Sequence, residues 1–249
     1  MKKVLLAGES WTSFTTHIKG FDIFTTSKYG EGATWLINAL ESAGYLVTFM
    51  PNHYVAEKFP HTMEEMQEYD AIILSDCGSN TLLLPPKTFD ESVASPNRCE
   101  ELKKYVLEGG GLCLVGGYMS FSGVDAKARF GKTPIKDVCP VDILEVDDRA
   151  ENPQGIKPVI IDASHPVFTG IPSSWPAFLG YNKTVANKSK GLVIATIGDD
   201  PFVALGKYGK GRTSVFTSDC SPHWAPPEFC NWKYYDRFWA NLMDWTTEK

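Results

Sequence analysis

The sequence lacks two features that would assign it to a large functional class. No apolar run approaches the roughly 20 residues that a transmembrane helix needs. Basic residues are also not in excess, because 24 lysines and arginines stand against 30 aspartates and glutamates. The formal net charge of −6 argues against a basic face for nucleic acid or anionic lipid. We therefore predict neither a membrane nor a nucleic-acid partner.

Cysteine is scarce, and its spacing offers no metal or redox motif. The six cysteines contain no C-x-x-C pair, and no Cys/His group has the spacing of a zinc site. We interpret them as reduced thiols, since nothing in the sequence directs the chain to an oxidising compartment. The apolar part of Met1–Gly8 is too short for a signal peptide. We predict a first β-strand there and a cytoplasmic location.

Short apolar runs followed by turn residues dominate the first half of the sequence. The runs are Val4–Ala7, Ala71–Leu74 and Leu112–Val115, and Tyr45–Met50 is predicted as a fourth strand. Uninterrupted runs of this length are typical of parallel strands that are buried on both faces. Segments with helical spacing lie between them, at Gly32–Ala43, Thr62–Tyr69 and Asn97–Glu108. This alternation predicts a doubly wound sheet with helices on both faces.

The second half has a different pattern, with several strand-like segments and one long helical segment. These segments are Lys157–Asp162, Leu192–Ile197, Phe202–Tyr208, Thr213–Thr217 and Tyr234–Trp245. A glycine-containing turn joins the last two strands into an antiparallel hairpin. We predict a single α/β domain over residues 1–249. Its fold class is a three-layer αβα, flavodoxin-like arrangement whose mostly parallel sheet has antiparallel additions in the C-terminal half.

Small and polar residues follow the predicted strands, at the edge where open α/β sheets bind ligands. Because these strand ends meet at one edge of a parallel sheet, we predict a site for a small polar ligand there. The candidate binding residues are Gly8, Glu9, Ser10, Trp11, Asp76, Cys77, Gly78, Gly116, Gly117, Tyr118 and Asp219. Tight turns alone would require the same glycines, and this alternative stays open.

One loop brings an aspartate, a cysteine and a histidine within five positions, at Asp219, Cys220 and His223. A histidine close to a thiol lowers the thiol pKa and produces the thiolate that nucleophilic catalysis needs. A loop in which Cys220 is inert is the alternative. Ser120 is a second candidate nucleophile, again with His223 as its base.

No cofactor is predicted from the sequence, and no metal. A metal site formed by Glu9, His17 and His223 would need His17 to lie close to the end of the first strand. The spacing of these three residues matches no ligand motif.

The order of the elements resembles that of class I glutamine amidotransferase-like proteins, including the trehalose-utilisation-type branch. The matching features are the glycine-containing turn after the first strand, Asp70–Asp76, the strand leading into Gly116-Gly117, His165–Pro172 and Gly209–Phe216. The resemblance spans nearly the whole chain. It implies the flavodoxin-like fold and a pocket at the strand ends.

The chain departs from the resembled family at the nucleophile. Active members carry the turn Gly-x-Cys-x-Gly, which exposes a cysteine beside an oxyanion hole. Here Tyr118 stands in place of that cysteine, and Ser120 in place of the second glycine. The family's His-Pro-Glu motif has only a loose counterpart around His223. A phenol with a pKa near 10 cannot replace a thiolate, so we expect ligand binding without glutaminase activity.

Two other functions stay open at this stage. One is a hydrolase or transferase that uses Cys220 or Ser120 with His223. The other is a structural subunit, a homo-oligomer whose interface is made of aromatic residues near the C-terminus. Those residues are Trp224, Phe229, Trp232, Tyr234 and Tyr235.

Overall fold

The computed structural model describes residues 1–248. Within them, the strands are β1 (Lys3–Gly8), β2 (Ser10–Lys19), β3 (Asp22–Glu31), β4 (Leu46–Pro51), β5 (Ala71–Ser75), β6 (Gly111–Val115), β7 (Val141–Ile143), β8 (Arg149–Ile156), β9 (Pro158–Ile160), β10 (Phe178–Asn182), β11 (Thr184–Ala186), β12 (Leu192–Ile197), β13 (Asp200–Tyr208) and β14 (Gly211–Phe216). The predicted strands are all present, with ends that differ by a few residues.

The helices are mostly short, apart from three that cover the sheet. They are α1 (Thr34–Ser42), α2 (Asn52–Lys58), α3 (Met63–Met66), α4 (Ser79–Leu83), α5 (Pro86–Phe89), α6 (Arg98–Leu107), α7 (Pro227–Cys230) and α8 (Tyr235–Thr246). Single 3-10 turns lie at Val124–Ala126, Phe130–Lys132, Pro134–Val138 and Pro166–Phe168. No helix within residues 1–248 combines the length and apolar character that crossing a bilayer requires.

The central sheet has eight strands in the order β4-β1-β5-β6-β14-β13-β12-β9. Strands β4, β1, β5, β6 and β14 run parallel to one another. Strands β13, β12 and β9 extend the sheet in antiparallel fashion. The predicted fold class is therefore confirmed: an α/β, flavodoxin-like sheet that is mostly parallel, with antiparallel strands from the C-terminal half.

The apolar runs of β1, β5 and β6 are uninterrupted because these three parallel strands are buried on both faces. In β1, Val4 and Leu6 point into one core, where α1 and α8 pack. Leu5 and Ala7 point into the opposite core, where α2, α4 and α6 pack. At about 25 cal/mol per Å² of buried apolar surface, these two cores are the main source of stability.

The aromatic residues near the C-terminus cover the sheet and do not form an exposed surface. Trp224, Phe229 and Tyr235 are buried, and Trp232 and Tyr234 are half-buried. Phe229 makes a tilted ring contact with Phe178 and an edge-to-face contact with Tyr235. These rings lie in the core where α1 and α8 pack. The interface that the sequence analysis considered is therefore not available at these residues.

Strands β2 and β3 form a long hairpin that the sequence analysis did not predict. Ten residues of β2 pair with ten of β3, from Ser10 opposite Glu31 to Lys19 opposite Asp22. The hairpin leaves the body directly after β1 and returns just before α1. All of its residues from Trp11 to Glu31 are exposed except His17 and Gly30, which are half-buried.

Candidate functional site

The carboxyl ends of four parallel strands meet at one edge of the sheet and form a cleft of about 470 Å³. Glu9 follows β1, Asp76 follows β5, Tyr118 follows β6, and Asp219 follows β14. The cleft is lined by Glu9, Trp11, Asp76, Tyr118, Asp219, Ser221, Pro222 and His223. Five of the predicted binding residues, together with the predicted base His223, thus line a common cavity, and Cys220 lies behind it.

The backbone turns sharply where the first two carboxylates enter the cleft. Glu9 has a φ of 45° and Asp76 a φ of 46°, a left-handed conformation that residues with a Cβ seldom adopt. Such conformations cluster at functional sites, where the surrounding structure enforces them. Gly8 precedes Glu9 with a φ of 116°, and a Cβ there would lie only 1.7 Å from the carbonyl oxygen of Ser75. Only glycine fits this position.

Glu9 is buried beneath the cleft and held by two serine hydroxyls. Its Oε1 accepts a hydrogen bond from Ser75 Oγ at 2.5 Å, and its Oε2 from Ser221 Oγ at 3.0 Å. Burial, together with the charges of Asp219 and Asp76, raises the pKa of Glu9 to about 8. Glu9 is therefore mostly protonated at neutral pH.

Asp219 and His223 form a hydrogen-bonded pair in the cleft, and a carboxyl oxygen of Asp219 lies within 4.8 Å of one of Glu9. His223 Nδ1 lies 3.0 Å from Asp219 Oδ2. Burial disfavours the charged imidazole, but the hydrogen bond and charge of Asp219 outweigh it and raise the pKa of His223. Asp219 is buried, and burial raises the pKa of its carboxyl despite the partner. This pair orients the imidazole and leaves Nε2 as the ring nitrogen available to a ligand.

Asp76 connects the turn after β5 to the turn after β6. Its Oδ1 accepts a hydrogen bond from the Met119 backbone N–H at 2.6 Å, and its own N–H donates to Ser120 Oγ at 3.1 Å. Burial and the charge of Asp219 raise the pKa of Asp76 to about 6. At neutral pH, Asp76 is thus the ionised carboxylate that is not paired with a histidine.

The turn after β6, where the resembled family places its nucleophile, has its backbone donors engaged. Gly117 N–H donates to Asn182 Oδ1 at 2.9 Å, and Asn182 Nδ2 donates back to the Gly117 carbonyl at 3.1 Å. The Met119 N–H is bound to Asp76. An oxyanion hole needs backbone N–H groups that point at the developing charge. The Gly117 and Met119 N–H groups instead point at side chains of the protein.

Tyr118 extends from this turn across the wall of the cleft. Its hydroxyl donates to Glu151 Oε1 at 3.0 Å, and its ring meets His223 edge-on at 4.3 Å. Trp224 Nε1 donates to the other oxygen of Glu151 at 3.0 Å, and the Arg149 guanidinium lies over the Tyr118 ring. Burial and the hydrogen bond to Glu151 raise the pKa of Tyr118, which keeps the phenol neutral.

The expected pairing of Cys220 with His223 does not form. Cys220 is buried behind the cleft, with its Sγ 3.7 Å from Ser75 Oγ. Burial and the neighbouring charges of Glu9 and Asp219 raise the pKa of this thiol well above its usual value. His223 interacts with Asp219 instead, so the histidine does not generate a thiolate in this loop.

The remaining predicted residues support the turns and do not line the cleft. Ser10 is buried and accepts a hydrogen bond from the Asn52 N–H, and Ser120 is buried with its Oγ bound to Asp76. Cys77 is buried, and burial raises the pKa of its thiol to about 12. Gly78 and Gly116 have close neighbours on the side where a Cβ would lie. An added Cβ would be 2.9 Å from the side-chain Cε of Met119 at Gly78 and 2.2 Å from the backbone carbonyl oxygen of Thr217 at Gly116.

His17 does not lie near the cleft, so the metal site considered with Glu9 and His223 cannot form. It lies towards the far end of the hairpin, where its Nε2 is 3.3 Å from Thr26 Oγ1 and its ring stacks on Phe24. Within residues 1–248, the one group that brings metal-ligating atoms together is Glu9, Asp219 and Cys220.

Several residues of the site carried no sequence signal. Ser75 and Ser221 hold Glu9, and Asn182 clamps the turn after β6. Asn52 Nδ2 donates to the carbonyls of both Ser10 and Asp76, which joins the first two strand ends. Single serines and asparagines are common in loops. Ser75 precedes the candidate Asp76, and Ser221 follows Cys220, but nothing in the sequence predicted that either would hold Glu9.

The comparisons with known proteins agree with this architecture. A family model described as "Putative glutamine amidotransferase" matches residues 3–248. The chain belongs to this family, within the class I glutamine amidotransferase-like superfamily. Among curated proteins, none matches at a significant level.

Three solved structures show the same fold. Cytoplasmic Protein STM3548 from Salmonella typhimurium is 44% identical, with 100% of both chains covered and a TM-score of 0.95. Cytoplasmic Protein STM1381 from Salmonella typhimurium LT2 is 45% identical, with 99% of this chain and 100% of that chain covered and a TM-score of 0.94. A ThuA-like protein from Parabacteroides merdae ATCC 43184 is 12% identical, with 99% and 90% covered and a TM-score of 0.57, and shows the fold alone.

Proposed function

We propose that this protein binds a small polar ligand in the cleft at the strand ends and does not hydrolyse glutamine. The observation that carries the proposal is the turn after β6. In place of a cysteine, this turn presents Tyr118, whose hydroxyl is bound to Glu151. The Gly117 N–H is bound to Asn182 and the Met119 N–H to Asp76. Neither a thiolate nor a free pair of oxyanion donors is available there.

The cleft itself supports ligand binding. It combines the ionised Asp76 and the neutral acid Glu9 with the Asp219–His223 pair, which together offer both hydrogen-bond donors and acceptors. Trp11 and Tyr118 add aromatic walls. A polar molecule would be fixed by the acids and imidazole and covered by the rings.

The absence of cysteine chemistry is tested by alkylation with iodoacetamide. All six cysteines are buried, and burial raises the pKa of the five other than Cys220 to about 12. We expect no labelling of the native protein at pH 7 and labelling of all six after unfolding in urea, as read by mass spectrometry. In parallel, no ammonia should be released from L-glutamine. Rapid labelling of Cys220 below pH 7 that disappears in His223→Ala would overturn this part of the proposal.

Ligand binding is tested by thermal shift against a panel of amino acids, polyols, sugars and small amines. We expect at least one compound to raise the melting temperature of the wild type. Asp76→Asn should weaken the binding of that compound about tenfold or more, because a hydrogen bond to a charged group is lost. Asp90→Asn, an exposed carboxylate outside the cleft, is the matched control and should bind normally. A panel without any hit, or a hit that Asp76→Asn leaves unchanged, would argue against the cleft.

A second candidate function is hydrolysis or group transfer with His223 as general base. The observation that favours it is the hydrogen bond between Asp219 and His223, the arrangement that orients a catalytic imidazole. Ser120 would be the nucleophile, but its hydroxyl is buried and bound to the Asp76 N–H. Hydrolysis of p-nitrophenyl acetate that is lost in both His223→Ala and Asp219→Asn would favour this function over simple binding.

The location of the protein is also a proposal. The two Salmonella relatives are described as cytoplasmic, and we infer the same location for this chain. Reduced, buried cysteines support this inference, because no disulfide is formed within residues 1–248.

A further inference from the structure

The β2–β3 hairpin exposes more apolar surface than a free two-stranded ribbon normally carries. Because residues directly opposite in an antiparallel pair share a face, the pairing of β2 with β3 defines two faces. We call one the open face; it consists of Ser10, Thr12, Phe14, Thr16, Ile18, Ile23, Thr25, Ser27, Tyr29 and Glu31. The other, the covered face, consists of Trp11, Ser13, Thr15, His17, Lys19, Asp22, Phe24, Thr26, Lys28 and Gly30.

The two faces differ in how their apolar side chains are covered. On the covered face, the Phe24 ring is stacked by His17 at 4.6 Å and approached by the Lys19 ammonium at 5.6 Å. On the open face, Phe14, Ile18 and Ile23 are exposed by 73%, 71% and 65%. No ring contact or ammonium group covers them. Phe21, in the turn at the tip, is fully exposed.

The distal part of the open face carries no charged residue, although the chain as a whole has a net charge of −6. The one charged residue of this face, Glu31, lies at its base, where it accepts a hydrogen bond from the Tyr29 hydroxyl. The charged residues of the distal hairpin, Lys19, Asp22 and Lys28, all lie on the covered face or at its end. Depletion of charge around apolar side chains is typical of the centre of a protein interface. Two negatively charged copies of the chain could approach each other here without like charges meeting.

The exposed area is sufficient for a stable dimer. At about 200 Å² for each large side chain, the exposed parts of Phe14, Ile18, Phe21 and Ile23 amount to about 600 Å² per copy. A standard interface buries about 800 Å² per partner, of which about 65% is apolar in homodimers. Threonines and backbone between the four side chains supply the polar remainder.

We propose that the open face of the β2–β3 hairpin is the contact surface of a homodimer, in which two hairpins pack against each other around a two-fold axis. A two-stranded hairpin is marginally stable in water by itself, and packing against its copy would stabilise the distal half. A lipid surface fits less well, because both edges of the ribbon have unpaired backbone groups that hydrocarbon cannot satisfy. The proposal is independent of the ligand in the cleft.

Sedimentation equilibrium at micromolar concentration tests the proposal. We expect the wild type to have twice the chain mass of 27.6 kDa. The double variant Phe14→Glu and Ile18→Glu should dissociate about 100-fold or more readily, because each change places a charge in a desolvated contact. A second double variant, Phe14→Thr with Ile18→Thr, keeps residues that favour β-strands and should also shift towards the monomer.

Phe89→Glu is the matched control. Phe89 is exposed by 71%, close to the value for Phe14, but lies at the end of α5, outside the hairpin. This variant should remain dimeric, and circular dichroism should show that all variants are folded. A monomeric wild type would overturn the proposal, as would a dimer that neither double variant weakens. A monomer that floats with anionic phosphatidylserine vesicles would assign the hairpin to lipid instead.

Discussion

Replacing Arg98 by methionine is expected to lower the free energy of unfolding by about 3–5 kcal/mol, because it leaves several buried backbone carbonyls without the guanidinium that donates to them. Arg98 is completely buried at the start of α6. All five of its N–H donors are engaged by backbone carbonyls of α2, α4 and their ends. The acceptors are the carbonyl oxygens of Val55, Ala56, Phe59, Thr81 and Leu82.

The size of this effect follows from what the substitution leaves behind. Within residues 1–248, no carboxylate forms a salt bridge with Arg98, and burial lowers the pKa of its guanidinium to about 10. It stays charged at neutral pH. Methionine fills much of the same space, but it removes the side-chain donors of five carbonyl oxygens in a site that water does not reach. Of the five, only the Val55 oxygen also accepts a backbone hydrogen bond within the described residues, from the Phe59 N–H.

Urea denaturation measures the loss, and two further variants identify its cause. Arg98→Lys keeps the charge but not the planar fork, so we expect a loss smaller than that of methionine. Arg237→Met changes an exposed arginine and should shift stability by no more than about 0.5 kcal/mol. If Arg98→Met were as stable as the wild type, the carbonyl contacts would contribute no net stability.

Glu9→Gln is expected to make the protein more stable than the wild type at high pH and about equally stable at low pH. The pKa of Glu9 is about 8 in the folded protein and 4.5 as its ordinary value. Glutamine resembles the protonated acid and can still bond with Ser75 and Ser221. At pH 9, the difference should be on the order of 3–5 kcal/mol, from about 1.4 kcal/mol per pKa unit.

The direction of this pH dependence follows from the difference in proton binding between the folded and the unfolded protein. Between pH 4.5 and 8, the folded protein keeps the proton on Glu9 while the unfolded chain releases it, so stability falls as pH rises. The stabilisation is fully present below pH 4.5 and is lost as pH rises through 8. The raised pKa values of Asp76, Asp219 and His223 act in the same direction. The free energy of unfolding of the wild type should therefore fall as pH rises through this range.

Urea denaturation from pH 4.5 to 9 separates the contribution of Glu9 from that of its neighbours. The variant should lose less stability than the wild type as pH rises. Glu91→Gln, at an exposed carboxylate, should follow the wild-type curve at every pH. Parallel curves for Glu9→Gln and the wild type would show that Glu9 is ionised at neutral pH.

Much of the fold could be predicted from the sequence, because strands buried on both faces leave an uninterrupted apolar signal. Val4–Ala7 and Leu112–Val115 are of this kind. The β2–β3 hairpin gives no such signal. Its residues are exposed on both faces, so no contrast between a core side and a solvent side marks the strands. Burial pattern is what sequence analysis detects, and a hairpin whose distal half packs against nothing in its own chain escapes it.

The candidate site was predicted in position but not in its internal partners. Glu9, Asp76 and Asp219 follow strands that are parallel neighbours, and that topology alone brings them to one cleft. The spacing of Asp219, Cys220 and His223 could not show which of the first two residues pairs with the histidine, because that depends on how the loop folds. The loop turns Asp219 towards the imidazole and buries Cys220 beneath it. Whether the cleft binds a ligand stays a prediction.

The position of β14 has a consequence for how the chain is synthesised. This strand is the last to be made, yet it lies in the middle of the sheet, between β6 and β13. Until residues 211–216 have left the ribosome, β6 has an open edge and the two halves of the sheet are not joined. The nascent chain must therefore wait with unpaired strand edges exposed, and long-range pairing of this kind is slow. We expect the sheet to close only after β14 has been made, and α8, which follows it, then covers the sheet.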